Sequence, residues 1–428
     1  MIVETRQISD CEDGAQTLFF HPSMDLYSTC LAALPNGNIM LAGAAGNASL
    51  LLEVDTEMTV VWSATVDVLP GLPEILITAQ IDTEGHLICV GQERAVSRNN
   101  YIIKFDPGTR TLSWVMRSDV FDRIIWNVID PGPAQDYIGV GIDISASVGN
   151  DAIFRRIDRT TGQVRTSDQR NFNLGSAEDF LAGVLVNDAL YTCGRYVPSA
   201  AFGDMRIALS RLNMQGDEVW SRLTTVPVSA EARMYGHDIT ARGDAIYFTG
   251  NGDPNGTQVN NWRSYVGKMS EDGTLLWVKQ FAFDDYTSHS MADIIPTNHG
   301  LLISCRGWQT NQFRGFVHID EDGEVLSSGV LGQAEDPGLL RYTHQFALAG
   351  EEFYYVYCTS GPGSQRSLML SRHPLLSTPS EACTAFDDLA HTVTDIVNPA
   401  NASYDLEEYT GVFDHSLVPR SLQGLSVQ

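Results

Sequence analysis

No apolar run in the sequence approaches the roughly 18 residues a membrane-crossing helix needs, so insertion in a bilayer is not expected. The opening residues, MIVETRQISDCEDG, lack a basic segment followed by an apolar one. No secretory signal is expected there, and synthesis in the cytoplasm follows, with a virion or extracellular particle as a later destination. Basic residues are scarce: 27 Lys and Arg stand against 53 Asp and Glu, for a net charge of -26. Such a field repels phosphate backbones and anionic lipid surfaces, and no basic stripe offsets it, so nucleic acid is not an expected partner. Cysteine is sparse too, seven in all, with no CxxC pair and no adjacent pair. Cys89, Cys193, Cys305 and Cys358 fall within apolar strand-like runs, where they read as small buried hydrophobes rather than a disulfide framework.

The usual chemical signatures are missing as well. There is no nucleophile elbow, no Walker loop and no HExxH. The GVGID segment follows a strand, but no helix comes after it to receive a phosphate. DPNG and IDEDG lack the ligand spacing of an EF-hand. Acidic pairs such as Asp284–Asp285 read as solvated surface in so acidic a chain.

What the sequence does contain is a repeat with two anchors. The first closes an apolar strand, usually at glycine: NIMLAG (Gly43), HLICVG (Gly91), DYIGVG (Gly141), LYTCG (Gly194), IYFTG (Gly250), LLISCR (Arg306) and YVYCT (Thr359). Successive anchors lie about 48 to 56 residues apart, the length of one four-stranded blade. The second sits on the next strand as a polar, usually basic residue before an apolar one: Glu53, Lys104, Arg156, Arg211, Lys268, His318 and Arg372. Tight Asp/Asn/Gly turns follow six of these. Then comes a strand that carries Trp62, Trp114, Trp220 or Trp277 in four units. Each unit therefore reads as strands A, B, C and D, with the indoles packing between neighbouring blades.

The seventh unit stops after strand C, and VETRQIS near the start has the pattern of a strand D. The expected fold is all-β: a seven-bladed β-propeller of four-stranded antiparallel blades, closed by an N-terminal strand at about residues 2–8, with a C-terminal extension. Closure of this kind removes the free sheet edges of an open array. The expected division is a propeller over 1–376 and an extension over 377–428, docked on the propeller or on a partner. Within the extension, Phe386, Leu389, Val393 and Ile396 recur at helical spacing and predict one short amphipathic helix.

Units such as IDRTTGQVRTS and MSEDGTLLWVKQ resemble the D-x-x-G-x-x-x-W repeats of the quinoprotein-like (PQQ-type repeat) β-propeller superfamily. ALSRLNMQGDEVW is similar to related short repeats with an R-L-N-x-x-G core. The resemblance implies the propeller architecture and covers nearly all of the repeat region. It does not carry over a quinone, because the quinoprotein enzymes typically have eight blades, an export signal and a vicinal cysteine pair, and this sequence shows none of these.

The A–B and C–D turns are uniformly short, whereas the B–C loops lengthen to RYVPSAAFGDM and NGDPNGTQVNNWRS in units four and five. Long loops on a rigid scaffold are where binding residues concentrate. The expected binding face thus comprises Tyr196, Asp253, Asn255, Asn261, Trp262, Arg263, Trp308, Gln309 and Arg314, with Asn260 and Asn311 beside them. Aromatic rings with amides and guanidinium suit a protein surface or a surface glycan; Trp262 and Trp308 could equally pin their own loops. His237, His289 and His344 fall near the starts of three consecutive A strands, where convergence would hold a divalent metal; otherwise they are hydrogen-bonded channel histidines and no cofactor is expected. The leading expectation is a non-catalytic structural or protein-binding propeller in a larger assembly, such as a phage virion (tail or receptor-binding component) or a contractile injection apparatus. The competing expectation is a hydrolase or lyase acting on a saccharide or lactone at the channel mouth.

Overall fold

The computed structural model of the chain describes residues 4–11, 14–94, 100–117, 123–144, 150–165, 170–173, 177–197, 205–224, 233–253, 262–283, 288–307, 313–333, 345–360, 365–375, 391–397, 406–408, 412–414 and 423–424. These residues form seven antiparallel sheets arranged as a propeller, and among them there is no helix. Blade 1 runs Leu26–Ala33, Ile39–Ala45, Ala48–Val54 and Val60–Val66 as strands A to D, and blades 2 to 6 repeat that order.

The recurring glycine of the first anchor has a steric cause. Strand A of each of the first six blades carries a β-bulge, for example between Ser28 and Cys30, Ile125 and Asn127, or Phe180 and Ala182. The bulge pushes a strand-A carbonyl toward strand B, and the anchor residue lies beneath it. A Cβ on Gly194 would overlap the Asp179 carbonyl oxygen, and one on Gly141 would overlap that of Ile124. Blade 6 breaks the pattern because its bulge lies farther along, between Met291 and Ile294. Arg306, paired with Ser290, is therefore free to carry a side chain.

The second half of the repeat joins one blade to the next. In blades 3 to 6 the C–D turn glycine packs against an aromatic ring of the preceding blade. A Cβ on Gly162 (φ 71°) would sit 2.6 Å from the Trp114 ring. The Trp114 Nε1–H donates to the Arg159 carbonyl of that same turn at 3.0 Å. The basic anchor adds a second tie: Lys268 Nζ donates to Glu321 O at 3.0 Å and Arg372 Nη1 to Thr56 O at 2.8 Å, each in the following blade's turn. Tyrosines and strand residues fill the rest of the interior. Cys30, Cys89, Cys193, Cys305 and Cys358 lie buried in it as free thiols, and burial pushes Cys30 up to about 12.

Both chain ends are placed differently from the sequence reading. The ring is closed by Gly14–Phe20, which pairs with strand C of blade 7 from Ala15↔Arg372 to Phe19↔Leu368. The segment expected to be that strand, at about residues 2–8, overlaps Glu4–Cys11, which lies one position farther out and pairs with Gly14–Phe20. Burial explains the exchange: residues 14–19 are buried and residues 4–7 exposed, so the charged VETRQIS segment suits the rim and GAQTLFF the interior.

The extension forms no helix over its described residues. His391–Val397 is a strand on the outer edge of blade 5. Its Thr392, Val393, Thr394, Ile396 and Val397 are β-branched, which disfavours helix, and an open sheet edge offers their backbone partners. The chain then adds Leu406–Glu408 to blade 4, Val412–Asp414 to blade 3 and Gln423–Gly424 to blade 2. The extension thus passes around the rim against the order of the blades.

Candidate functional site

The two faces of the ring differ in what their side chains do. On the tight-turn face, carboxylates cap turns and bridge blades. The densest group joins Asp82, Glu84, Lys104, Asp130, Tyr137 and Arg159. Arg159 Nη1 lies 3.4 Å from both Asp82 and Glu84, and its Nη2 pairs with Asp130. Lys104 Nζ lies 3.4 Å from Asp82 and 3.1 Å from Glu84, and Tyr137 donates to Asp82 at 2.6 Å. Asp82, Glu84 and His86 are the described residues whose ligand atoms could gather around a metal. Two cations already neutralise that group, so its geometry is that of a structural ion network.

On the loop-rich face, the start of strand A is tied to the preceding blade. Glu74, at the start of strand A in blade 2, accepts from Ser49 N at 3.0 Å and Leu69 N at 2.9 Å. His289 holds the corresponding place in blade 6. Its backbone N–H donates to Trp262 O at 3.1 Å, and its Nδ1 shares a 2.8 Å hydrogen bond with Ser264 Oγ. Burial, with the Arg263 charge, lowers its pKa to about 3, so the imidazole is neutral at pH 7. Because this group stays unprotonated in the folded state, its stabilising contribution is complete above about pH 6.5. It is lost as pH falls toward about 3. We expect His289→Asn to flatten the loss of stability between pH 7 and pH 4, as read by urea midpoints at each pH; an unchanged slope would contradict this assignment.

His237 lies deeper, as the bulged residue of its strand, with Nε2 2.7 Å from Asn251 Oδ1. It lines a small cavity in the central channel with Thr78, Asn127, Asp238 and Asp293. The sequence reading did not single out either aspartate, although each lies in strand A, in MYGHDI and MADII. Asp238 Oδ2 accepts from Ile294 N at 2.9 Å, and Asp293 Oδ2 accepts from Gln345 N, so each carboxyl latches its blade to the next. Burial, and then the Asp238 charge, push the Asp293 carboxyl far up. The histidines are thus set at different depths and on different partners. Among the described residues their ring nitrogens join no three-ligand group, and His344 lies outside the described residues.

The predicted face residues separate into two sets. Tyr196 packs with Ala208 and Leu223, and Asp253 and Arg314 are likewise buried. Trp262 and Arg263 are half-buried at the start of strand C in blade 5. Asn255, Asn260, Asn261, Trp308, Gln309 and Asn311 lie outside the described residues. Around Trp262 the structure assembles a surface that the spacing of the sequence did not reveal. Its indole stacks on Tyr235, with centroids 5.2 Å apart and planes at 29°. The Arg195 guanidinium lies 5.6 Å from the Tyr235 centroid and is held by Asp179 at 2.7 Å. Burial raises the Asp179 carboxyl against the pull of Arg195. The Trp262 backbone is fixed at both polar groups, its N–H on Ser288 Oγ at 3.4 Å and its carbonyl on His289 N. Tyr27 holds the equivalent strand-A position in blade 1, but there Arg94 and Arg366 lie over its ring at 4.5 and 5.2 Å and it is buried.

These features define a seven-bladed β-propeller with a plain face and a loop-rich one. No family model and no curated protein matches the chain. Among solved structures, it is similar to Drosophila Semaphorin 1a, extracellular domains 1–2, at 8% identity and a TM-score of 0.47, over 86% of this chain and 88% of that one. It is similar to a protein of unknown function from Dyadobacter fermentans at 10% identity and a TM-score of 0.47, over 87% and 99%. A quinohemoprotein alcohol dehydrogenase from Pseudomonas putida HK5 matches at 10% identity and a TM-score of 0.43, over 80% and 67%. At such identities the likeness concerns the fold.

Proposed function

We propose that this propeller is a non-catalytic binding module that engages a protein partner through its loop-rich face over blades 4 to 6. The observation that carries this reading is the Tyr235–Trp262 stack with Arg195 beside it. Aromatic rings and arginine are the side chains that most often dominate binding energy, and their value rises when they are held in place before binding. Here Asp179, Ser288 and His289 hold them.

The setting we propose is a larger assembly, such as a phage tail or a contractile injection apparatus; its support is an acidic repeat chain whose extension runs along its own rim. Neighbouring tail, baseplate or sheath genes would be the expected genomic context. Each neighbouring gene product, purified and immobilised, is the probe for binding. Trp262→Ala should weaken the interaction by about 2 kcal/mol, roughly thirtyfold. Binding that survives unchanged in this variant would remove the loop-rich face from the interface. Retention on immobilised oligosaccharides instead, lost in the same variant, would replace the protein partner with a glycan.

A further inference from the structure

The loop-rich ends of the blades differ in charge from one side of the ring to the other. In blade 2 the first register pair of strands A and B is Glu74 with Glu93. In blade 3 the end of strand B meets the start of strand C as Asp143 with Asp151. All four residues are buried. In blade 5 the corresponding pairs are Arg233 with Asp253 and Gly252 with Arg263. Three arginines therefore flank the Tyr235–Trp262 stack: Arg195 lies over the Tyr235 ring, Arg233 shares strand A with Tyr235, and Arg263 follows Trp262.

These arginines are not equally committed. Arg195 is held by Asp179 at 2.7 Å. Among the described residues, Arg233 and Arg263 form no ion pair, and the buried Nε of Arg233 has no hydrogen-bond partner. Both residues are half-buried, whereas Glu178 and Asp253, the other carboxyls at this end of blades 4 and 5, are buried. After burial, the Arg263 charge is what holds His289 neutral, which places that guanidinium near the residue that anchors the Trp262 carbonyl. A half-buried guanidinium without a partner has lost hydration and gained nothing in exchange; a carboxylate supplies both charge and acceptors.

We propose that the partner of this face presents an acidic peptide segment, whose carboxylates pair with Arg233 and Arg263 while a neighbouring apolar side chain covers the Trp262 ring. This rests on the reading of the loop-rich face as a protein-binding surface. The guanidinium fork matches a carboxylate in two parallel bonds, and the half-buried indole suits apolar contact. Position matters as well as chemistry. The acidic ends of blades 2 and 3 repel such a segment, so it crosses blades 4 and 5 and avoids them. The net charge of -26 opposes its approach. That field is screened beyond about 10 Å at 0.1 M salt, whereas the half-buried arginine contacts are screened much less.

The test selects short random peptides, displayed on yeast, against the full-length chain at about 0.1 M salt. Sequences recovered by wild type should carry an excess of Asp and Glu beside an apolar residue. A synthetic copy of the most enriched peptide then gives affinities by fluorescence anisotropy. Arg233→Gln and Arg263→Gln should each weaken it roughly tenfold. Arg233→Lys and Arg263→Lys should weaken it less, because the charge remains. Thermal unfolding of all four variants should match wild type, since neither arginine is tied into the fold by an ion pair. Neutral or basic sequences, recovery of none, or an acidic peptide that binds the glutamine variants as well as wild type would overturn the proposal. Trp262→Ala separates this proposal from the reading beneath it. A peptide that is sensitive to Trp262→Ala and indifferent to both glutamine variants overturns the acidic partner and leaves the aromatic site standing. The reverse pattern overturns the aromatic site and keeps the arginine contacts.

Discussion

Gly194→Ala should destabilise the protein by about 3 kcal/mol or more, although it adds a single methyl group. The new Cβ would occupy the position of the Asp179 carbonyl oxygen, a backbone atom fixed by the bulge between Phe180 and Ala182. No rotamer change relieves such a collision; the bulge itself must move. Gly141→Ala should behave alike against Ile124. Gly37→Ala provides the contrast, because Gly37 has a φ of 87° but nothing within 4 Å of its would-be Cβ. Its cost should be the conformational one alone, about 1 kcal/mol. Chemical denaturation of the three variants separates the two mechanisms. Equal losses at Gly194 and Gly37 would show that the bulge is not the reason for the anchor glycine.

Arg159→Ala should cost about 3 to 5 kcal/mol, the range for removing one partner of a buried ion network. Arg159 serves Asp82, Glu84, Asp130, Gln135 O and Gly132 O at once, with its guanidinium 4.3 Å above the Tyr137 ring. Arg159→Lys should recover only part of this, since an ammonium lacks the planar fork. The network also has a pH signature. Burial pushes the Asp82 carboxyl up, but bonds from Tyr137 and from the His86 backbone, with the Lys104 charge, bring it below its usual range. Asp130 is lowered in the same direction by Thr83, Gly132 and Arg159. Groups with depressed pKa values stabilise the fold above their unfolded pKa near 4, and that stability is lost as pH falls through the folded value. Stability measured from pH 6 to pH 2 should therefore fall less steeply in Arg159→Ala than in wild type. An equal acid slope would place the acid sensitivity elsewhere.

The blade count and the strand order within each blade were legible because their signals are local. A glycine beneath a bulge and a turn glycine beneath an indole both leave a fixed letter in the sequence. Arg306 and Thr359 depart from the first pattern, and for Arg306 the displaced bulge supplies the reason. Arg159 was hidden inside IDRTTGQ, where it reads as one residue of a turn; its partners Asp82 and Asp130 are 77 and 29 residues away. The Tyr235–Trp262 stack was half visible, since loop length pointed to Trp262 but nothing pointed to Tyr235. Ser264 and Ser288, which settle what His289 and Trp262 do, are equally silent in sequence. The ends failed for another reason. VETRQIS and GAQTLFF can both be strands, and only burial decides which lies inside. The Val393–Ile396 spacing fits a helix, but the β-branched residues around it fit a strand that has an edge to join.

The closing strand has a consequence for synthesis on the ribosome. Gln16 reaches Ser371 across 355 residues of sequence, so the closing strand, made long before its partner, must wait for the segment that completes blade 7. Until then, Gly14–Phe20 travels with its apolar residues unhoused, and the half-made ring presents an open edge at each growing end. The rim strands from His391 onward emerge only after closure becomes available. They therefore arrive as a latch on a finished ring, and their pairing on blades 5 to 2 should trail the folding of the blades themselves.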